Sequence, residues 1–179
     1  MTLKKLIYIN TIGTFLLCFL THFLYTWFPN PFFALFFPVN ESIWEHMKML
    51  YTSILLFGVI EFIIIQKCSI SNHNFLLSLF LKACVSIPIY LLFYLPLYYT
   101  FGEHMPVTLI LLFLVFFLLS WMGYKMQSVQ EIKYQSKIAF FLIIVGYIVL
   151  GYLTYKPPHI HLFLDTEEEK YGIHEYLFP

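Results

Sequence analysis

The run PVTLILLFLVFFLLSWMGY, residues 106–124, contains nineteen residues and no charged side chain. A helix needs about 20 consecutive apolar residues to cross the hydrocarbon core of a bilayer, so this run is long enough to span a membrane. Apolar side chains would cover nearly every face of such a helix, which is typical of a segment surrounded by lipid or by other helices. The run therefore predicts the fold class, an all-α polytopic membrane helix bundle.

The composition of the whole chain indicates the same class. Hydrophobic residues make up 60% of the 179 residues, charged residues make up 11%, and the mean hydropathy is +0.78. Soluble domains carry about 25% charged residues, because a surface that faces water needs them. Most of this surface must therefore face a lipid bilayer, and we expect one domain over residues 1–179. The formal net charge of zero argues against a nucleic-acid partner.

Proline and polar breaks divide the apolar sequence into five candidate transmembrane helices. Proline fits at these breaks because it removes a hydrogen bond from a helix interior. A further apolar segment, residues 31–37, is too short to span and is expected to lie at the interface or to re-enter against the protein. Within the third span, Pro88 and Pro96 are expected to kink the helix. The five spans cover about residues 6–28, 42–66, 75–99, 106–124 and 138–155.

The distribution of the ten lysines predicts the orientation, since the chain has no arginine. Seven lysines fall at the N-terminus and in the two connections that share its side, and three fall on the opposite side. Positively charged residues concentrate in the cytoplasmic segments of membrane proteins. We therefore expect a multi-pass protein of the cell membrane, with its N-terminus inside and its C-terminus outside. Residues 157–179 would form an extracytoplasmic tail packed on the bundle mouth.

The histidines follow the opposite distribution. Five of the seven fall in segments predicted to be outside, and His22 lies one to two turns before the outer end of the first span. The positive-inside tendency accounts for acidic residues outside but gives no reason for histidines to gather there. We therefore expect a shared functional site on the outer face. The five outer histidines are His46, His104, His159, His161 and His174.

The first outer segment is NESIWEH, residues 40–46, at the start of the second span. Ser42 and Glu45 have the spacing of a capping box, in which two side chains accept hydrogen bonds from free backbone amides at a helix start. Trp44 is typical of an anchor at the membrane interface. His46 lies one turn inside the helix. Together with Glu41 it offers the imidazole and carboxylate of a metal site or of an acid–base pair.

Two further polar segments are predicted to lie on the same face. The sequence GEH at residues 102–104 forms a short turn between the third and fourth spans. The prolines of PPHIH, residues 157–161, favour an extended backbone, on which His159 and His161 would point the same way. Two imidazoles on one face suit a transition metal. The alternative interpretations are a solvated turn for the first segment and an interfacial tail for the second.

The sequence NESIWEHMK at residues 40–48, with PPHI at 157–160 and the later Tyr171-Gly172, resembles a family of small bacterial integral membrane proteins of unknown function. That family carries an Asn-Glu-Ser-Val/Ile-Trp-Glu-His motif after its first helix and a Pro-Pro-His-x-Pro-Leu-Phe-like stretch after its last. The resemblance covers nearly the whole chain and implies a five-helix membrane protein without an assigned activity. Because this chain has His161 where the family pattern has proline, the resemblance favours His159 as a ligand.

We therefore expect a site for a divalent metal such as zinc at the outer mouth of the bundle. Glu41 or Asp165 would supply an oxygen ligand beside three histidines. Glu45 would be the general base for a metal-bound water, acting on a lipid-linked or envelope substrate. The three histidine ligands would be His46, His104 and His159.

Two alternatives belong to other functional classes. In the first, the protein is non-catalytic, and the same residues form a hydrogen-bonded lock or a docking surface for a membrane-protein partner. In the second, the protein is a small transporter, with Glu61 inside the second span and the outer cluster along one path. Glu61 lies within two turns of Lys67, so its carboxylate is equally expected to reach the cytoplasmic surface.

Overall fold

The computed structural model describes residues 3–70 and 72–173. These residues form a bundle of helices, which confirms the predicted all-α fold. Five of the helices are long and apolar enough to cross a membrane, so the chain is a multi-pass membrane protein. The helices are α1 (Leu3–Trp27), α2 (Pro31–Phe36), α3 (Ile43–Lys67), α4 (Phe75–Phe101), α5 (Met105–Gln127) and α6 (Gln135–Tyr155).

Beyond α6 the chain folds over one end of the bundle, which we call the tail end. It forms a 3-10 turn at His161–Phe163, followed by two short antiparallel strands, β1 (Leu164–Asp165) and β2 (Lys170–Tyr171). Phe163 is buried, and the backbone N–H of Ile173 donates to the carbonyl of Thr154 at 3.0 Å. The tail is therefore packed against the end of α6. His174, which the sequence placed on the outer face, lies outside the described residues.

The central helix of the bundle is α3. Thirteen of its residues are buried, more than in any other described helix. It packs against α1 and α4, while the short helix α2 packs mainly against α6. Large apolar side chains on the outward faces of α1, α4, α5 and α6 stay exposed, as expected for helices that contact lipid.

Local signals in the sequence account for the helix ends near the tail end. Pro31 occupies the first turn of α2, after Asn30, whose side chain accepts from the backbone N–H of Phe33 at 3.1 Å. Gly102 ends α4 with a φ of +75°, a conformation that favours glycine. These ends bring the connection between α2 and α3 beside the last turns of α1.

Two lysines that enter the orientation argument are buried. Lys48 is 0% exposed and pairs with Glu45, and Lys82 is 6% exposed and pairs with Glu61. Neither lysine faces an aqueous compartment, so neither reports on orientation. Removing one lysine from each side changes the distribution from seven and three to six and two. The direction of the predicted bias stays the same.

Candidate functional site

Three titratable side chains gather at the tail end, His22 on α1, Glu41 in the connection before α3, and His46 on α3. Nε2 of His46 lies 3.4 Å from Oε2 of Glu41, and Nε2 of His22 lies 3.8 Å from Oε1 of Glu41. The two imidazole rings stack with their centroids 5.3 Å apart. One ligand atom from each residue lies within 4.8 Å of the others, so a single ion could contact all three. We call these residues the histidine–glutamate group.

Hydrogen bonds around the connection hold Glu41 in place. Its backbone N–H donates to Oδ2 of Asp165 at 3.2 Å, and the next N–H, that of Ser42, donates to Oδ1 of Asn40 at 3.0 Å. His46 follows Ser42 by four residues, which places both on one side of the first turn of α3. The backbone of the connection therefore directs the carboxylate of Glu41 towards the imidazole of His46.

The ring of His46 has a fixed orientation. Its Nδ1 lies 2.9 Å from the carbonyl oxygen of Ser42, and because a carbonyl oxygen only accepts, Nδ1 carries the hydrogen. Nε2 is left to face Glu41. It either presents a lone pair to a cation shared with the carboxylate or, in a protonated ring, donates a hydrogen bond to it.

Glu41 is held in its ionised form. The hydrogen bond from His46 lowers the pKa of this carboxyl below its ordinary value, and the charges of His46 and His22 act in the same direction. Partial burial, which is the second-largest influence, and the charge of Asp165 oppose the lowering without reversing it. The carboxylate is therefore available as a hydrogen-bond acceptor or as a metal ligand at neutral pH.

A cavity of about 440 Å³ adjoins the histidine–glutamate group, bounded by α1, α3, α4, α5 and the tail. Glu103, His161 and Thr166 add polar groups to its wall at the same end. Most of the remaining lining residues are apolar or aromatic. A cavity of this size, mostly apolar with a few convergent polar groups, has the character of a small-molecule site.

The three polar segments that the sequence assigned to one face are brought together here. Trp44, which the sequence suggested as an interface anchor, packs on Phe163 of the tail with ring centroids 4.9 Å apart. Glu103, from the turn before α5, and His161, from the tail, line the same cavity as His46. The site thus draws on segments from both halves of the chain.

Glu45, the predicted general base, lies outside this constellation. Its carboxylate is 2% exposed, its Oε2 pairs with Lys48 and accepts from the backbone N–H of Val39 at 3.1 Å, and its Oε1 accepts from the hydroxyl of Thr154 at 2.8 Å. Thr154 belongs to α6, so Glu45 points towards α6. Both carboxylate oxygens are already engaged, which leaves neither for proton transfer in the cavity.

The helix start at Ser42 forms half of the expected capping box. The Ser42 hydroxyl accepts from the backbone N–H of Glu45 at 3.3 Å, as a cap does. The reciprocal bond from the Ser42 N–H goes to Asn40, and the side chain of Glu45 reaches Val39. The buried lysine, Lys48, draws the Glu45 carboxylate away from the position a capping box requires.

Asp165, a predicted oxygen ligand, serves the fold of the tail. It is 2% exposed, and its Oδ1 accepts from the backbone N–H groups of Glu167 at 2.9 Å and Glu168 at 3.3 Å. Its Oδ2 accepts from Glu41. Asp165 therefore acts on the histidine–glutamate group through the backbone that carries Glu41.

The other predicted histidine ligands have separate positions. His104 is exposed at the start of α5 and lines a neighbouring hollow between α4 and α5. The ring of His159 stacks on that of Tyr171 with centroids 4.5 Å apart and an angle of 3°. Neither belongs to the group of potential ligands that the described residues form. His161 lines the cavity, with its ring centroid 5.9 Å from that of Tyr98.

Glu61 is buried inside the bundle and does not reach a surface. It is 1% exposed, Nζ of Lys82 lies 2.8 Å from its Oε2, and Nε2 of Gln127 donates to its Oε1 at 3.0 Å. The ion pair joins α3 to α4, and the amide joins α3 to α5. These contacts give Glu61 a role in holding three helices together.

His22 and Glu103 are the site residues that the predicted ligand set lacks. A single histidine within an apolar span was the available signal for His22, since a polar side chain near a helix end must find water or a partner. Its contact with Glu41 depends on the rotation of α1 relative to α3, which the sequence of one helix does not encode. Glu103 stood next to His104 in a turn, and only the fold shows that Glu103 lines the cavity.

Sequence comparison relates the chain to a protein family. No curated protein and no solved structure gives a significant match. A family model described as "Family of unknown function (DUF6512)" matches residues 1–173, which is nearly the whole chain. The expected resemblance to an uncharacterised family is thereby confirmed. The chain belongs to this family of unknown function, DUF6512.

Proposed function

We propose that this membrane protein binds a divalent metal through the histidine–glutamate group and that the metal acts on a substrate held in the adjoining cavity. Two imidazoles and one carboxylate are ligand types that zinc accepts, at nitrogen and oxygen distances of about 2.0–2.2 Å. One ligand atom from each residue lies within 4.8 Å of the others, slightly wider than an ion at those distances would hold them, so binding would draw the three side chains together. Zinc is therefore one divalent metal that this ligand set suits.

The observation that carries the proposal is the orientation of the His46 ring. Its Nδ1–H is engaged by the carbonyl of Ser42, so the neutral ring presents a lone pair at Nε2. In the neutral ring that lone pair faces the Glu41 carboxylate at 3.4 Å, where a shared cation, either a metal ion or a proton, would join the two acceptors. Metal-bound histidines nearly always donate their second ring N–H to a carbonyl, a carboxylate or a water.

Three protein ligands would leave a further coordination position for water or substrate, as in catalytic zinc sites. The histidine–glutamate group forms part of the cavity wall, so that position would open into the cavity. Two histidines and one glutamate are also the ligand set of some zinc hydrolases. These features favour a catalytic metal over a purely structural one.

The reaction class that this arrangement supports is hydrolysis of an ester or amide in a lipid-linked or envelope substrate. The metal would polarise the carbonyl and lower the pKa of a bound water. The water oxygen would add to the carbonyl carbon, the bond to the leaving oxygen or nitrogen would break, and the leaving group would take the proton that the water gives up. Glu103 is the candidate proton carrier, because this residue lines the cavity and both oxygens of Glu45 are engaged.

The direct experiment is elemental analysis of purified protein after incubation with zinc and removal of the excess. We expect about one zinc per chain in the wild type, and a large loss in His22→Ala and His46→Ala, since three ligands are needed. His159→Ala is the matched control, because its ring stacks on Tyr171. A wild type without zinc, or a His46→Ala variant that retains a full complement, would overturn the proposal.

One contact favours a second candidate function, a non-catalytic ionic lock. A protonated His46 would donate from Nε2 to Glu41, whose backbone is tied to Asp165 in the tail. The group would then fasten α1, α3 and the tail together.

The effect of zinc on stability distinguishes the two candidate functions. At 100 times its dissociation constant, a metal that binds the folded state adds about 2.7 kcal/mol to the free energy of unfolding. The lock predicts no such gain.

A further inference from the structure

The cavity has two chemically different parts. Its polar groups lie at the tail end, and residues such as Cys18, Leu50 and Leu112 line the part deeper in the bundle. The lining extends over eight residue steps of α4, from Tyr98 to Tyr90, and over seven steps of α5, from Met105 to Leu112. At a rise of 1.5 Å per residue, the cavity reaches roughly 10–12 Å along the bundle axis.

We propose that this cavity binds a single-chain amphiphile, with an uncharged polar headgroup at the histidine–glutamate group and its alkyl chain in the apolar part. The headgroup preference rests on the metal site of the proposed function. The binding of the chain rests on the cavity alone. The proposal thus names the substrate class for the site.

The deeper lining suits an alkyl chain. Phe19 of α1, Leu50 of α3 and Leu112 of α5 surround this part with apolar side chains. Apolar protein cavities tend to stay dry and to bind apolar molecules, because water there lacks hydrogen-bond partners. In a bilayer the most abundant apolar molecules are the chains of lipids.

The border between α1 and α5 offers a route from the bilayer. Phe23 and Met105 line the cavity near the tail end, and their side chains are 46% and 61% exposed. Side chains that contact both the cavity and the surroundings form a thin wall. An amphiphile could therefore enter sideways, with its headgroup remaining at the level of the polar groups.

A ladder of tyrosines forms one wall. Tyr90, Tyr94 and Tyr98 follow one another at four-residue intervals on α4, with ring centroids 5.2 and 5.6 Å apart. Each ring offers an apolar face and a polar hydroxyl, a combination that suits a ligand with both kinds of surface.

The charged and titratable groups at the tail end determine the headgroup preference. With a metal bound, His22 and His46 would be neutral ligands, so the formal charges of this part of the lining would be those of Glu41 and Glu103. A divalent ion would bring the sum to zero. An anionic headgroup would then introduce an uncompensated charge into a partly desolvated space, which is unfavourable. Removing the metal takes two positive charges away from this end of the cavity, which would shift the preference towards a cationic headgroup.

The test uses three amphiphiles that share a dodecyl-length chain, namely 1-monolauroylglycerol, which is uncharged, dodecyl phosphate and dodecyltrimethylammonium. Each competes with a nitroxide-labelled monolauroylglycerol for the full chain in nanodiscs, and electron paramagnetic resonance measures the immobilised fraction of the probe. With zinc present, the uncharged compound should displace the probe at a concentration about tenfold below that of the phosphate. After chelation, the cationic compound should become the strongest competitor.

Two variants of adjacent residues test the location. Leu109 lines the cavity, and Leu109→Trp should fill it and abolish probe immobilisation. Ile110 is 62% exposed, so Ile110→Trp adds the same side chain on the outward face and should leave immobilisation unchanged. Displacement by unlabelled monolauroylglycerol in the wild type gives a readout even if Leu109→Trp fails to fold.

The outcomes distinguish the two proposals. Zinc binding without displaceable immobilisation of the probe would overturn the amphiphile site and leave the metal site standing. Immobilisation that Leu109→Trp abolishes, in a protein that binds no zinc, would support the chain site and overturn both the headgroup preference and the proposed function. Equal immobilisation by the two tryptophan variants would show that the probe binds elsewhere and would overturn the cavity assignment.

Discussion

The backbone N–H of Glu41 donates a hydrogen bond to Oδ2 of Asp165, across 124 residues of sequence, at 3.2 Å. The other oxygen of Asp165 accepts from two backbone amides of the tail hairpin. One buried carboxylate therefore couples the fold of the tail to the position of a candidate metal ligand. The tail is part of the site because it holds Glu41 and also closes one end of the cavity.

Replacing Asp165 with alanine should weaken zinc binding without removing a ligand. Loss of a hydrogen bond that orients a ligand typically costs about 10–100-fold in metal affinity. Asp165→Asn keeps one acceptor oxygen and should lose less. Competition with a chromophoric chelator measures the affinity. Glu169→Gln, at an exposed residue of the same hairpin, is the control and should bind zinc as the wild type does. Equal affinity in Asp165→Ala would show that the tail does not position Glu41.

Glu41 should make the metal-free protein sensitive to acid. Its folded-state pKa lies below its ordinary value, so its charge stabilises the fold above the unfolded pKa, near 4.3, and this contribution is lost as pH falls through the folded pKa. Glu41→Gln should therefore be less stable than the wild type near neutral pH, and the difference should vanish in acid. Thermal melts of chelator-treated protein across this range measure it.

The side chain of Glu41 is 46% exposed, so the effect should stay within the roughly 0–1 kcal/mol typical of exposed ion pairs. Glu131→Gln is the matched control, since Glu131 is exposed in the connection between α5 and α6, away from the site. A difference between Glu41→Gln and wild type that persists unchanged into strong acid would contradict the assignment.

The fold could be predicted from the sequence because the deciding information is local. The length of each apolar run determines whether it can span, and the ends follow from caps and prolines. The span predicted at residues 42–66 became α3 at Ile43–Lys67, and the span predicted at 75–99 became α4 at Phe75–Phe101. Pro88 and Pro96 lie within α4, so neither ends the helix.

The candidate site could be predicted less well from the sequence, because it depends on how the helices are rotated about their axes. The assignment of each connecting segment to one side of the membrane was enough to expect that the three outer segments share a face. It did not show that His22 turns towards Glu41 while His159 turns towards Tyr171. The spacing of Glu45 and Lys48, at i and i+3, is compatible with the ion pair that the structure has. The same glutamate also fits a capping box that begins at Ser42, so the sequence favoured two different roles for Glu45.

Chemical labelling of lysines in sealed vesicles should report the orientation of the chain and, independently, the burial of Lys48 and Lys82. Lys125 and Lys133 should react from one side, and Lys156 from the other, while Lys48 and Lys82 should resist until the protein unfolds. The labelling reagent is a water-soluble ester that reacts with amines. Lys48 and Lys82 resist it because residues that are 0% and 6% exposed are inaccessible to a reagent in water. Mass spectrometry of the peptides gives the extent at each residue. Rapid labelling of Lys48 in folded protein would contradict its burial.

The buried pair of Glu45 and Lys48 should behave as a structural unit separate from the metal site. Lys48→Met leaves the Glu45 carboxylate buried without its partner, and removal of one member of a buried pair typically costs about 3–5 kcal/mol. Glu45→Gln leaves the Lys48 ammonium without its counter-charge, although it still donates to Ala34 and Thr154, and should cost a similar amount. The double variant removes both charges and should recover at least half of the loss. Denaturant unfolding in mixed micelles measures each free energy.

The exposed pair of Glu168 and Lys170, 3.5 Å apart on the tail, provides the control. Glu168→Gln should change the free energy of unfolding by no more than about 1 kcal/mol. The same double variant also tests the role of Glu45. If Glu45 serves the fold alone, a folded Glu45→Gln/Lys48→Met protein should bind zinc with the wild-type affinity, because its ligands are unchanged. Additive losses in the double variant would instead show that the two charges do not stabilise one another.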